Sequence, residues 1–287
     1  MKKMVLSVLF MLVVAVPAAR AEHKLLITDV LEEKQLEGEA TFEYLHQRGD
    51  LQDRVASANG KRFVNVLESN YSLGVGLGHG LEVTASIPYT LMERTKAEFP
   101  GLEPEYEKRD GVGDFAFGGK YLLLGGEHER FALVTGLDLK FDTAGGNNAG
   151  TRSTDVSPYL AASTVIGEHV KPYAAYRATL RSGGLQDTHT LTLGAEAELN
   201  ETVTLDLKFD AAFNTGADRN LSFSGLPVNG YQEYNFELGS YLQLVHNLYL
   251  IPTVRVILTS ANDTKDEALH FASATGVGGG LSLYYLY

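Results

Sequence analysis

The stretch that decides the fold is "TVTLDLKFDAAFN", Thr202 to Asn214, in which apolar and polar residues alternate. Its apolar residues share one parity: Val203, Leu205, Leu207, Phe209 and Phe213. Its charged residues share the other: Asp206, Lys208 and Asp210. A period of two is typical of a β-strand whose two faces meet different surroundings.

The same alternation recurs from Leu36 to the end of the chain, and helical spacing is sustained nowhere. Connections that are alternately short and longer favour an antiparallel, up-and-down order of strands. An even number of strands puts both termini on the short-turn side. The sequence therefore predicts an all-β protein of twelve strands, at 36–46, 62–73, 81–91, 114–124, 131–142, 155–166, 170–181, 189–199, 202–214, 231–245, 248–259 and 270–287.

One face of these predicted strands contains no charged residue, whereas the other carries fifteen acidic and seven basic residues. A soluble β-sandwich also alternates. However, strands of about 11 to 13 residues are longer than is usual in globular sheets and suit a tilted crossing of a bilayer. A charge facing lipid at mid-depth costs roughly 2 to 4 kcal/mol, which explains its absence from that face. The pattern favours a transmembrane β-barrel.

The N-terminus resembles an export signal. Residues 1–21 contain two lysines, an apolar run and small residues before a cleavage site expected after Ala21. Residues 22–35 then precede the barrel, 36–287, and are predicted to enter its lumen as a plug, to pack on its periplasmic rim, or to form a flexible leader. Without Lys2, Lys3 and Arg20, the chain has 21 basic and 36 acidic residues and a net charge of -15.

Composition excludes several classes of function. A strongly acidic chain is a poor partner for nucleic acid. Cysteine is absent, so disulfides, thiolate metal sites and thiol nucleophiles are excluded. No motif indicates a cofactor or a metal. A barrel hydrolase needs serine and histidine near one rim, and His46 and His189 have roughly that position, but no Gly-x-Ser-x-Gly motif accompanies them. An enzyme is therefore the least favoured alternative.

Three segments carry a family resemblance: "SLGVGLGHGLEVTASIPY", "GVGDFAFGGKYLLL" and "LDLKFDTAGGNNAGTRSTDVSPYLA". With Gly80-Leu81-Glu82, Pro88-Tyr89 and Gly113-Asp114, they resemble the outer-membrane transporter family named for the meta-pathway of phenol degradation. The chain departs from that family at residues 142–144, where Asp-Thr-Ala replaces Pro-Thr-Gly. The resemblance implies an outer-membrane, porin-like barrel that passes small molecules, in some relatives aromatic compounds.

The predicted function is a channel for small solutes, because the charged face of the strands would line the lumen. An excess of acids favours cations, whereas Lys171, Arg177 and Arg181 share one strand and would guide anions. Alternatively, the charges pair and hold the lumen shut, in a structural barrel that serves a periplasmic or surface partner. The selectivity candidates are Lys120, Lys140, Lys171, Arg177, Arg181, Lys208, Arg255, Glu82, Asp114, Asp138 and Asp206.

The chain ends in "GVGGGLSLYYLY", Gly276 to Tyr287, with an aromatic last residue. Apolar residues at every second position before it resemble the signal that the barrel-assembly machinery binds. Tyrosine suits the membrane interface. The candidate assembly signal consists of Leu281, Leu283, Tyr285 and Tyr287. The predicted partners are outer-membrane lipid, this machinery and a small-molecule or ion solute.

Overall fold

The computed structural model describes residues 26–126, 129–144, 149–167, 169–220 and 226–287. The predicted signal peptide, residues 1–21, and the first part of the N-terminal segment, residues 22–25, lie outside the described residues. Among the residues that are described, no helix is long and apolar enough to cross a membrane.

The described residues form sixteen strands, twelve of which build one closed antiparallel barrel. Around the wall the order is β1, β2, β3, β5, β6, β7, β8, β9, β10, β13, β14 and β16. Of the others, β4 pairs with β3, β15 pairs with β16, and β11 and β12 form a separate hairpin. The strands are β1 (Leu36–Asp53), β2 (Ala58–Gly78), β3 (Leu81–Glu98), β4 (Glu105–Val112), β5 (Ala116–Gly125), β6 (Phe131–Lys140), β7 (Asp155–Thr164), β8 (Val170–Arg181), β9 (Thr188–Asn200), β10 (Val203–Asn214), β11 (Ala217–Asn220), β12 (Leu226–Val228), β13 (Tyr231–Val245), β14 (Leu248–Thr259), β15 (Asn262–Asp263) and β16 (Leu269–Leu286).

The first and last strands close the barrel. Phe42 of β1 is opposite Leu281 of β16. At the end of this ladder, the Leu36 amide donates to the Tyr287 carbonyl at 2.8 Å and the Tyr287 amide donates to the Leu36 carbonyl at 2.7 Å. Both ends of the barrel chain therefore lie on the side of the short turns. The prediction of an all-β, up-and-down antiparallel barrel of twelve strands is confirmed.

The exterior is apolar over the height of the strands. On β10 the outward Leu207 is 62% exposed, whereas the inward Asp206 is 7% exposed. Aromatic residues edge this belt at both ends. At the long-loop end the Tyr44 hydroxyl donates to Asn65 Oδ1 at 3.1 Å and the Tyr176 hydroxyl lies 2.8 Å from His189 Nδ1, and at the short-turn end Tyr285 and Tyr287 are 46% and 73% exposed. Such a belt fits the hydrocarbon of a bilayer between its two interfaces.

At the long-loop end, the strands extend further than alternation predicts. The stretch Arg48 to Gly60 looks like a polar loop, but β1 continues to Asp53 and β2 begins at Ala58, which leaves a four-residue turn at 54–57. Asp53 Oδ1 closes that turn by accepting the amides of Val55 and Ala56 at 2.9 and 2.8 Å. Above the bilayer the outer face of a strand meets water instead of lipid, so continued pairing no longer requires that face to be apolar.

The predicted strand at 114–124 begins later, at Ala116. Residues 113–115 interrupt the wall between β4 and β5, where the Gly113 amide donates to the Pro88 carbonyl at 2.9 Å. Asp114 therefore lies in a break of the wall rather than in a strand.

Candidate functional site

The N-terminal segment, here residues 26–35, lies against the inner wall at the short-turn end. The Thr28 hydroxyl donates to Ser163 Oγ at 2.7 Å, and the Leu31 amide donates to Glu82 Oε2 at 2.8 Å. The Leu31 side chain is buried against Tyr249 and Tyr284. The segment is thus fixed by contacts with opposite sides of the barrel.

A glycine of β2 makes room for this segment. The Lys34 amide donates to the Gly76 carbonyl and the Gly76 amide donates to the Gln35 carbonyl, both at 2.9 Å. A Cβ atom at Gly76 would overlap the Glu32 carbonyl and would lie 2.7 Å from the Leu31 carbonyl. Only glycine permits so close an approach of the two backbones.

Among the described residues, two cavities of the lumen share Leu26 and Ile27 in their lining, one of about 1030 Å³ and one of about 230 Å³. Three predicted selectivity residues line the smaller cavity: Glu82, Lys120 and Asp138. Five others line the larger one: Arg177, Arg181, Asp206, Lys208 and Arg255. Lys140, Lys171 and Asp114 line neither cavity. The N-terminal segment therefore separates two groups of the predicted residues.

Each of the seven predicted lumen bases pairs with a carboxylate. Arg177 pairs with Asp138. The other pairs are Lys120–Glu82 at 3.1 Å, Lys140–Asp155 at 2.8 Å, Lys171–Glu198 at 3.8 Å, Arg181–Asp155 at 3.3 Å, Lys208–Glu237 at 2.7 Å and Arg255–Glu43 at 3.2 Å. Lys171, Arg177 and Arg181 thus do not form one free basic stripe.

Glycines of β16 explain how Arg255 reaches its partner. Arg255 is on β14 and Glu43 is on β1, so the pair spans the strand between them. The register places Gly278 opposite Arg255 and Gly280 opposite Glu43. A Cβ atom at Gly278 would lie 3.2 Å from Arg255 Nε, and one at Gly280 would lie 3.2 Å from Glu43 Cγ. The glycine run therefore provides a path for an ion pair over the closing strand.

Lumenal tyrosines use neighbouring glycines in the same way. The Tyr173 ring covers Gly194, and its hydroxyl donates to Asp206 Oδ1 at 3.0 Å. The Tyr159 ring covers Gly136, and the Arg177 guanidinium lies 4.5 Å from its centre. These rings pack against the wall, so they offer little free surface for a solute to stack on.

Asp114 organises a loop instead of lining the cavity. Its carboxylate accepts the amides of Thr143 and Ala144, both at 3.1 Å, and of Thr151 at 2.7 Å. These donors lie on the β6–β7 connection. The interpretation of Asp114 as a strand residue is wrong, because β5 begins at Ala116 and three amides of the β6–β7 connection surround its side chain.

The mouth at the long-loop end is narrowed by the β11–β12 hairpin. Arg219 Nη2 donates to the carbonyls of Thr151 and Arg152 at 3.0 and 3.2 Å, which ties the hairpin to the β6–β7 connection. An apolar cluster joins the hairpin to the wall and consists of Ala217 and Val228 of the hairpin with Leu51, Tyr231 and Phe271 of the wall strands. None of these side chains was among the sequence candidates.

The sequence also missed neutral groups that line the larger cavity. Thr188, Thr190 and Thr192 of β9 line it, as do Gln186 and Asn235. The three threonines alternate with His189, Leu191 and Leu193, and this period of two was a signal for their inward direction. Gln186 gave no such signal, because it belongs to the connection at 182–187.

No group of three or more histidine and acidic residues within the described ranges is arranged to hold a metal ion. His46 Nδ1 lies 2.8 Å from Asn65 Oδ1, and His189 lies beside the Tyr176 hydroxyl. Both histidines therefore bond residues of the outer rim.

Comparisons with known proteins support the fold. No family model and no curated protein matches the sequence. The COG4313 outer membrane channel from Pseudomonas putida F1 has a TM-score of 0.60 at 12% identity, over 93% of this chain and 100% of that one. The CymD monoaromatic hydrocarbon channel has a TM-score of 0.47 at 10% identity, over 90% and 89%. The KdgM porin has 0.42 at 12%, over 84% and 97%. The first of these likenesses shows a shared barrel fold.

Proposed function

We propose that this protein is an outer-membrane channel for small solutes. The supporting observation is a polar cavity of about 1030 Å³ inside a closed barrel whose exterior is apolar. Water and ions need such an interior, whereas lipid needs such an exterior. The fold shared with a known outer-membrane channel agrees with this location.

Residues 1–21 then act as the cleaved export signal, and the N-terminal segment, described here from residue 26 to 35, forms the plug at the periplasmic, short-turn end. The contacts of Thr28 and Leu31 with the wall support the plug over a flexible leader. A plugged channel conducts weakly until the segment moves, so the segment controls flux.

The solute class follows from the cavity wall. The sequence resemblance to the meta-pathway family suggests aromatic compounds, and CymD is described as a monoaromatic hydrocarbon channel. In this chain Tyr159 and Tyr173 are packed on glycines, Tyr249 and Tyr284 pack with Leu31, and the predicted lumen bases are paired. A small polar or charged solute therefore fits the wall better than a flat aromatic one.

Assembly depends on the closing strand. Leu281, Leu283 and Tyr285 point outward, each between 45% and 46% exposed, and Tyr287 is 73% exposed. Their side chains are thus available to the barrel-assembly machinery before the barrel closes. A periplasmic protein partner would meet the rim formed by the short turns.

Planar-bilayer recording tests the channel. We expect small, steady conductance from the wild-type protein and several-fold greater conductance from a variant that lacks residues 22–31. Heat-dependent gel mobility confirms that each variant is folded. If both proteins remain silent, the paired charges and the lumenal segment belong to a structural barrel, which is the second candidate function.

A further inference from the structure

Four carboxylates of the larger cavity are bonded only by neutral donors. Asp210 accepts the Thr192 hydroxyl at 2.6 Å and Asn235 Nδ2 at 3.2 Å. Three similar contacts are Tyr173 to Asp206 at 3.0 Å, Thr259 to Glu233 at 3.4 Å and Thr41 to Glu39 at 2.9 Å. Throughout the described part of the chain, no lysine or arginine nitrogen forms an ion pair with any of the four. Within the described residues none of the four is in direct contact with a base, although Lys208, which is paired with Glu237, also attracts Asp206 and Asp210, and Arg255, which is paired with Glu43, also attracts Glu233.

A second observation concerns neutral acceptors. Gln186 lines the same cavity, is 7% exposed, and its Oε1 atom has no hydrogen-bond partner. Asn235 Oδ1 is also buried without a partner, although Nδ2 of the same side chain bonds Asp210. A buried acceptor without a donor is costly to a folded protein. Neither atom finds a donor, so the wall of this cavity keeps two unfilled acceptor positions.

The chemistry of the missing donor follows from the charges. A neutral hydroxyl satisfies a lone pair but leaves the carboxylate charge, whereas an ammonium satisfies both and forms the stronger, charge-assisted bond. An anion would face the four acids, and the cavity bases Arg177, Arg181, Lys208 and Arg255 already hold carboxylates. The wall is therefore complementary to a cation that carries N–H donors.

We propose that the larger cavity binds a small organic cation, a protonated amine or short diamine, at Asp210 and Glu233. The register places Glu233 opposite Ala212, two residues along from Asp210. Two residues span about 7 Å along a strand, and neighbouring strands are about 4.8 Å apart. This separation suits the two ends of a short diamine. The inference deepens the proposed function and rests on it in taking the bound cation as the solute.

Calorimetric titration of the full, folded protein in detergent tests the site with four probes of one carbon length. These are 1,5-diaminopentane, pentylamine, pentane-1,5-diol and glutarate. We expect binding of both amines, the diamine more tightly, and no binding of the diol or of glutarate. The variants Asp210→Asn and Glu233→Gln should each weaken diamine binding about tenfold, since each removes one charge-assisted bond.

The matched control is Glu103→Gln, on the exposed connection between β3 and β4, and it should bind as the wild type does. Heat-dependent gel mobility shows that the variants are folded. Equal binding of the diol, or undiminished diamine binding by both variants, would overturn the site.

Bilayer recording separates this inference from the channel itself. Under a gradient of diaminopentane chloride, a reversal potential that reports cation preference supports the cation as solute. Conductance without that preference overturns the cation inference and keeps the channel. Silence in every protein, with the calorimetric pattern intact, overturns the channel and keeps the binding site.

Discussion

Single glycines decide how the lumen is packed. At Gly136 the Tyr159 ring occupies the space of a side chain, and the same ring supports the Arg177 guanidinium. Sequence alternation predicts which parity faces inward, but it does not predict which inward glycine is covered. Whether a glycine is covered depends on the side chain opposite it on the adjacent strand, as Tyr159 of β7 is for Gly136 of β6.

The substitution Gly136→Ala should destabilise the barrel by about 1 to 3 kcal/mol, because the added methyl group forces the Tyr159 ring from its place. Gly119→Ala is the matched control, since a Cβ atom there would meet only the Glu82 carbonyl, at 3.9 Å. Denaturant titration, with the loss of the compact gel band as the readout, measures the stability of both variants. Equal midpoints for the two variants would contradict the role of the ring.

Asp114 is a second residue whose role depends on its three-dimensional surroundings. Its carboxylate holds the β6–β7 connection through three backbone amides. Asp114→Asn keeps one acceptor oxygen and loses the charge, so the amides of Thr143, Ala144 and Thr151 should exchange hydrogen about tenfold faster or more. Mass spectrometry of exchange measures this. Asp142→Asn, exposed on the same connection, should leave these rates unchanged.

At the scale of elements, alternation predicted all twelve wall strands because the bilayer excludes charge from one face. It failed at β1, β2 and β3 beyond the bilayer, where the charged residues Asp50, Lys61 and Glu98 lie opposite one another and continue the ladder. Ion-pair partners such as Glu43 for Arg255 were also beyond prediction. These side chains reach over an intervening strand, and the register that allows this is not visible in one sequence.

The N-terminal segment packs against β2 at Gly76. Gly76→Ala should displace it, because the methyl group overlaps the Glu32 carbonyl. We expect single-channel conductance to rise several-fold and the segment to become sensitive to protease. Gly38→Ala is the control, since a Cβ atom there meets only the Leu73 side chain, at 3.5 Å. Unchanged conductance of Gly76→Ala would show that the segment does not limit flux.

At the scale of the whole molecule, the barrel closes only when its first strand, β1, pairs with its last strand, β16. The ladder between β1 and β16 is the last to form in chain order, and the Leu36 and Tyr287 backbones exchange two hydrogen bonds at its edge. Leu281, Leu283, Tyr285 and Tyr287 point outward and are exposed in the isolated barrel. Lipid or an assembly partner must therefore cover these side chains. We therefore expect closure and insertion to be coupled through this strand.

A charged extension after Tyr287 should impair assembly, because it places ions beside the membrane interface where the aromatic end of β16 belongs. We expect an added Asp-Lys-Asp-Lys tail to reduce the folded, outer-membrane fraction several-fold, whereas a Gly-Ser-Gly-Ser tail of equal length should reduce it much less. Membrane fractionation and heat-dependent gel mobility measure both forms. The neutral tail separates the effect of charge from that of length, since both tails move the aromatic residue away from the terminus. Equal losses would mean that the terminal position of Tyr287, rather than the charge beyond it, is what assembly requires.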